Sequence, residues 1–267
     1  MMQKNPELPL QKPVMMHYQI NREERHFGFL FLTAIVSNPL FRKELFDLLN
    51  SRSELHLDAD EFDVYAEVAI FRDQWNSLGD HTNYTEALHV QRLNMLKGIL
   101  SAMNIDPLLV SEYDLFWTGE IGRSKLWYPG KWSKTKIEEL EAKIVTGTVN
   151  KPLFRCRWLC NAKPDIMIHS GENILFIEVK VESGMGSSEQ GYSQEQTQND
   201  IIDVGIKVID WMRQGHVKRI NLTHLAEEKD IDWKEITDIY SRTKIQSDIG
   251  ADMLHRHFQN MPKPKKL

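Results

Sequence analysis

The sequence predicts an α/β fold in which helices, a largely helical insertion, a sheet and further helices follow one another. Three observations carry that prediction. Residues 163–180, KPDIMIHSGENILFIEVK, alternate about an SGEN turn in the manner of a β-hairpin. Apolar residues at helical spacing recur before it, in 21–49, and after it, in 195–212. A further run of strand character, Val217 to Leu222, then precedes a last helical stretch, Ile231 to Tyr240.

Residues 1–20 hold three prolines and little periodicity, which suits an N-terminal arm. From Asn21, a candidate N-cap, residues Phe27, Leu30, Phe31 and Ala34 form one apolar stripe. A second helix over Pro39–Leu49 uses Leu40, Phe41, Leu45 and Leu48. These first helices make a segment, 21–54, that ends in the polar, acidic stretch Ser51 to Asp63.

Residues 55–150 are read as a mostly helical insertion. The spacing of Phe62, Tyr65, Val68, Ala69 and Trp75 favours helix over strand across Glu61–Leu78. Asn83–Met103 is a stronger helix, with Ala87, Val90, Leu93, Leu96 and Leu100 facing inward. An irregular aromatic stretch, Asp106 to Pro129, leads to a capping-box match at Thr135–Glu138 and a helix through Val145. Segment 151–245 then carries the sheet. Phe154 to Leu159 is expected as its first strand, the hairpin follows, and a Gly, Ser and Gln-rich stretch leads into the helix Glu195–Met212, with Ile201, Val204, Val208 and Trp211 on one face. The tail 246–267 ends in the basic MPKPKKL.

The hairpin is where the chemistry concentrates. With its turn centred on Gly171 and Glu172, Asp165 lies opposite Glu178. Period two then puts Asp165, Glu178 and Lys180 on one face, and Ile166, Ile168, Leu175, Ile177, Val179 and Val181 on the other. Like charges directly across a sheet repel, so the pair is poor structural design and good design for holding a cation. Oxygen-only ligands suit Mg²⁺ or Mn²⁺ rather than zinc. Such an ion lowers the pKa of a coordinated water and offsets charge on a phosphodiester. Lys180 is placed to orient or deprotonate the attacking water, or to contact the scissile phosphate. The bland alternative is a solvated hairpin face, which fits poorly with Met167, Ile174 and Phe176 on the same side.

Composition narrows the classes. The longest apolar run, Phe27–Val36, is too short to span a bilayer, and the N-terminus lacks an apolar signal core, so the expectation is a soluble cytoplasmic protein without a membrane partner. Two cysteines, Cys156 and Cys160, support neither a disulfide framework nor a zinc site and read as buried free thiols. The formal charge is −5, yet 121–163 carries ten basic residues against three acidic ones and stands at +7. That stretch also holds Trp127, Tyr128, Trp132 and Trp158. Two readings stay open for it. One is a nucleic-acid channel using Lys131, Lys134, Arg155, Arg157 and Lys163 on phosphates with an aromatic stacked on a base; the other is a core helix with solvated lysines and buried tryptophans.

Pro164-Asp165, a twelve-residue spacer and Glu178-Val179-Lys180 together resemble the PD-(D/E)XK phosphodiesterase superfamily, the restriction-endonuclease-like nucleases. The resemblance implies a core of helix, three strands, helix and strand, a mixed sheet flanked by helices. It implies Asp165 and Glu178 as metal ligands and Lys180 as catalytic lysine. An acid on the first core helix, Glu24 or else Glu23, would reach the metal, and a glutamine near the start of the helix after the hairpin, Gln198 or else Gln194, would lie close to metal and substrate. The expected activity is Mg²⁺- or Mn²⁺-dependent phosphodiester hydrolysis, of DNA rather than RNA, with restriction, phage defence or DNA repair as settings and a homodimer compatible with it. The alternative is a non-catalytic nucleic-acid-binding or assembly protein that keeps the fold.

Overall fold

A computed structural model describes residues 24–80, 82–118, 125–144, 151–180, 193–223 and 226–243. Two helices open it, α1 (Glu24–Ser37) and α2 (Pro39–Ser53). Pro39 sits in the first turn of α2, where no N–H is missed, and Asn38 caps it by accepting from Phe41 N. Strand β1 (Asp63–Ala66) and helix α3 (Ile70–Ser77) follow, then α4 (Glu86–Ala102), capped by Thr85. A short helix α5 (Leu109–Glu112) and the two-stranded ribbon β2 (Trp117–Thr118) and β3 (Lys125–Leu126) lead to α6 (Lys134–Ile144) and α7 (Pro152–Asn161). The hairpin is β4 (Ile166–Ser170) and β5 (Asn173–Val179). Helices α8 (Gln194–Val208) and α9 (Asp210–Gln214), strands β6 (His216–Thr223) and β7 (Ile231–Asp232) and helix α10 (Trp233–Thr243) complete the described chain.

The five-stranded sheet runs β1-β4-β5-β6-β7. Its first two pairings are antiparallel and its last two parallel, so it is a mixed sheet. The hairpin register is the expected one: Ile166 pairs with Ile177 and Ser170 with Asn173. Gly171 makes the turn at φ 58°, a conformation that strains any residue with a Cβ. Both faces of the sheet are buried. Ile166, Ile168, Leu175, Ile177 and Val179 pack with α1, α2 and α10 through Phe31, Phe41, Leu45, Trp233, Ile236 and Tyr240. Met167, Ile174 and Phe176 face the opposite way, into a cluster built by α3, α4, α6, α7 and α8. Helices α3, α4 and α6 of the 55–150 segment, together with α7 and α8, therefore form the layer over one face of the sheet. No described helix is long and apolar enough to cross a membrane.

Several expectations need correction. Phe154–Leu159 belongs to α7 and is no strand. Leu153, Phe154, Cys156, Leu159 and Cys160 are its buried stripe, and Pro152 takes its first turn. The Glu141 carboxylate supplies the cap that a Lys151 N-cap lacks, accepting from Leu153 N at 2.7 Å and Phe154 N at 3.2 Å. The role of first strand falls to β1, inside a stretch expected to be all helix, and helix begins there only at Ile70. On α4 the inward face is rotated from the expected one: Leu88, Arg92, Met95, Leu96, Ile99 and Leu100 are buried, while Val90 is exposed. The helix expected to run to Met212 breaks at Ile209, whose extended backbone separates α8 from α9.

Candidate active site

Three strands deliver polar groups to one end of the sheet. Glu178 is the penultimate residue of β5, and Lys180 lies just beyond it. The ladder holds Lys180 in place, its N–H donating to Leu222 O at 2.8 Å while its carbonyl accepts from Trp233 Nε1 at 2.9 Å. Anchored on both sides, the backbone leaves the Lys180 side chain little choice of direction. Its Nζ lies 2.9 Å from Glu178 Oε1. Glu178 is 2% exposed and Lys180 5%.

The second Glu178 oxygen has a partner from another element. Gln198, also buried, donates from Nε2 to Glu178 Oε2 at 2.8 Å. Gln198 is reached because α8 starts from a full capping box, in which Ser193 Oγ accepts from Gln196 N and Gln196 Oε1 accepts from Ser193 N. With the helix start fixed, its second turn faces the sheet. Asp165 stands one residue before β4, half-buried, and its Oδ2 accepts from Val179 N at 2.8 Å. That bond places the Asp165 carboxylate at the backbone between Glu178 and Lys180. The sequence-derived set Asp165, Glu178, Lys180 and Gln198 is thus gathered at one sheet end. The Glu24 side chain, all of Glu23 and the Gln194 side chain lie outside the described residues.

The basic candidates separate. Lys131 and Lys134 are exposed near the start of α6. Lys163 is exposed two residues from Asp165, with Glu67 at 3.7 Å. Arg155 instead forms a two-pronged ion pair with Asp200 of α8, Nε donating to Oδ2 at 2.6 Å and Nη2 to Oδ1. These hydrogen bonds hold the guanidinium above its ordinary pKa range. Arg157 Nε donates to Trp132 O at 3.0 Å. Trp132 and Tyr128 are core residues, whereas Trp158 keeps an exposed face. Cys156 and Cys160 are buried free thiols, and their mutual hydrogen bond together with burial pushes the Cys156 thiol up, away from reactivity.

Two residues of this face were missed from sequence. Asn221 pairs in register with Glu178, and Arg219 with Phe176. Ile220 and Leu222 point into the α1 and α2 cluster, so Arg219 and Asn221 share the face of Glu178. Arg219 lies 3.6 Å from Glu195 through Nη2, and its buried Nη1 has no hydrogen-bond partner. Neither had a motif to mark it. The available signal was the alternation within KRINLT, which puts an arginine and an asparagine on a covered face.

Compared with protein-family models, with curated proteins and with solved structures, the chain matches none.

Proposed function

We propose that the protein is a metal-dependent nuclease that hydrolyses phosphodiester bonds, of DNA rather than RNA. The observation that carries this reading is the Glu178 carboxylate held by Lys180 on one oxygen and by Gln198 on the other, with Asp165 fixed beside them. Two carboxylates, a lysine and a glutamine drawn together from a hairpin and a helix share a purpose in phosphodiester hydrolysis.

The donor set suits a hard divalent cation: Asp165 and Glu178 supply carboxylate oxygens, the donor type that Mg²⁺ and Mn²⁺ prefer. Asp165 and Glu178 would hold Mg²⁺ or Mn²⁺, with Glu24 as a further ligand by resemblance. A cation bound there would supply Lewis acidity, lowering the pKa of a coordinated water and offsetting phosphate charge. Lys180 contributes a compact positive charge fixed by its backbone bonds, suited to orient the attacking water or the scissile phosphate. Gln198 keeps the Glu178 carboxylate from rotating. Lys131, Lys134 and Lys163, exposed on the α6 and hairpin approaches, would contact backbone phosphates. The element order, α1 and α2, then β1, β4, β5, α8 and β6, supports the restriction-endonuclease-like core.

One observation favours a second reading, in which the hairpin is purely structural: Glu178 is 2% exposed and both its oxygens already have partners. A cleavage assay separates the two. Plasmid and linear DNA, single-stranded DNA and RNA are incubated with Mg²⁺ or Mn²⁺ and either wild type or Asp165→Ala. Metal-dependent cleavage absent from the variant supports the nuclease. No cleavage, with no metal-induced rise in melting temperature, establishes the structural reading.

A further inference from the structure

Asn221 is clamped at one end of its amide and bare at the other. Its Nδ2 donates to Asp230 Oδ1 at 2.9 Å, and its backbone N–H reaches the same oxygen at 3.3 Å. A carboxylate accepts only, so the amide nitrogen must face Asp230 and the carbonyl oxygen must face away. Asp230 immediately precedes β7, on the far side of β6 from β5. The Asn221 oxygen is thereby turned from β7, on the sheet face it shares with Glu178, its partner in the β5–β6 register. Adjacent strands lie roughly 4.8 Å apart. This oxygen is buried and has no hydrogen-bond partner. Leaving a buried acceptor unsatisfied is unfavourable, because its desolvation goes uncompensated. An orientation enforced by Asp230 yet unsatisfied in the protein alone fits an acceptor kept for something that binds.

We propose that Asn221 Oδ1 is a third protein oxygen ligand for the divalent cation held by Asp165 and Glu178, with Asp230 as the residue that positions it. The inference rests on the nuclease reading. A neutral amide oxygen is a hard donor suited to Mg²⁺ or Mn²⁺, and it adds coordination without adding charge to an already acidic pair. Strand β6 then completes a site begun by the hairpin.

The test is calorimetric titration of the full chain with MnCl₂, independent of turnover. Asn221→Leu keeps the side-chain shape without the oxygen and leaves Asp230 its backbone donors from Asn221 and Glu227. It should bind Mn²⁺ at least about 10-fold more weakly, and Asp230→Ala, which releases the amide from the carboxylate that orients it, about 10–100-fold more weakly. If Asn221→Leu does not fold, as judged by circular dichroism, Asp230→Ala decides alone, and wild-type affinity there overturns the proposal. Wild-type affinity in Asn221→Leu, with binding lost in Asp165→Ala, would sink the Asn221 assignment and leave the nuclease reading standing. Absence of Mn²⁺ binding to the wild type would remove both.

Discussion

Replacing Lys180 by methionine tests how the site is held together. Methionine keeps much of the lysine stem and removes the ammonium, so Glu178 stays buried at 2% exposure without the cation 2.9 Å away. Breaking a buried pair by removing one partner costs about 3–5 kcal/mol, because the remaining charge is uncompensated. Gln198 still donates to Glu178 Oε2. The expected loss therefore lies near the lower end, about 3 kcal/mol, a large part of the roughly 5–15 kcal/mol that holds a typical protein folded.

Urea unfolding measures it. With a slope of about 3 kcal/mol per molar, the midpoint should fall by roughly 1 M. The double variant Glu178→Gln with Lys180→Met should recover more than half of the loss, because the neutral amide can still accept from Gln198 and no buried charge remains. If a cation binds beside Glu178, Mg²⁺ should stabilise Lys180→Met more than wild type, replacing part of the missing charge. A midpoint shift below about 0.3 M at unchanged slope, with no coupling in the double variant, would refute the argument that the pair is buried and interdependent.

Gln198→Leu removes a charge-assisted hydrogen bond and should cost about 1.5–3 kcal/mol in urea unfolding, together with activity if the nuclease reading holds. Glu141 has its carboxyl raised above the usual range, chiefly by burial and against the pull of two backbone N–H groups. Its contribution is therefore most favourable below the ordinary glutamate pKa and is lost as pH rises through the raised one. Glu141→Gln, whose amide oxygen can accept the same two bonds, should match wild type at pH near 4 and become relatively more stable at neutral pH; a difference independent of pH would contradict the assignment. Lys131→Ala and Lys134→Ala should each lower the slope of log affinity for DNA against log salt by about one. Arg155→Leu should instead lower stability by about 1–2 kcal/mol, since Asp200 is buried while part of the guanidinium remains wet, with no change in salt slope.

The hairpin was legible because its pattern is local. Alternation fixed its faces, the SGEN turn fixed its register, and together they put Asp165 beside Glu178 without knowledge of anything distant. Gln198 could be nominated only by resemblance, because the distance from helix to strand depends on tertiary packing. Strand β1 escaped because four residues at a sheet edge, paired on one side and mostly exposed, carry almost no periodic signal. Helix α7 was misread because Phe154, Cys156 and Trp158 mimic alternation, although Trp158 points outward and Pro152 marks a helix start. On α4 the buried Arg92 stands where a pattern of apolar residues predicts none. It lies over the rings of Trp75 and Tyr84 and donates to Gly79 O, an aromatic cradle visible only after folding.

The location of the site follows from where the sheet changes direction. Strand β4 is antiparallel to β5 and begins where β5 ends; β6 is parallel and ends there too. Residues at the start of one strand and the ends of two others therefore meet, which is how Asp165, Glu178 and Asn221 share one edge of one face. Helix α8, on the crossover from β5 to β6, brings Gln198 of its second turn to that same edge, where it meets Glu178. The positive end of the α8 dipole favours carboxylates at this place. A one-residue slip of β5 would turn Glu178 into the α1 and α2 cluster and bring Ile177 or Val179 to the site face. The apolar alternation on both sides of the sheet opposes that slip, so the same residues that stabilise the fold also hold the acid, the lysine and the amide in register.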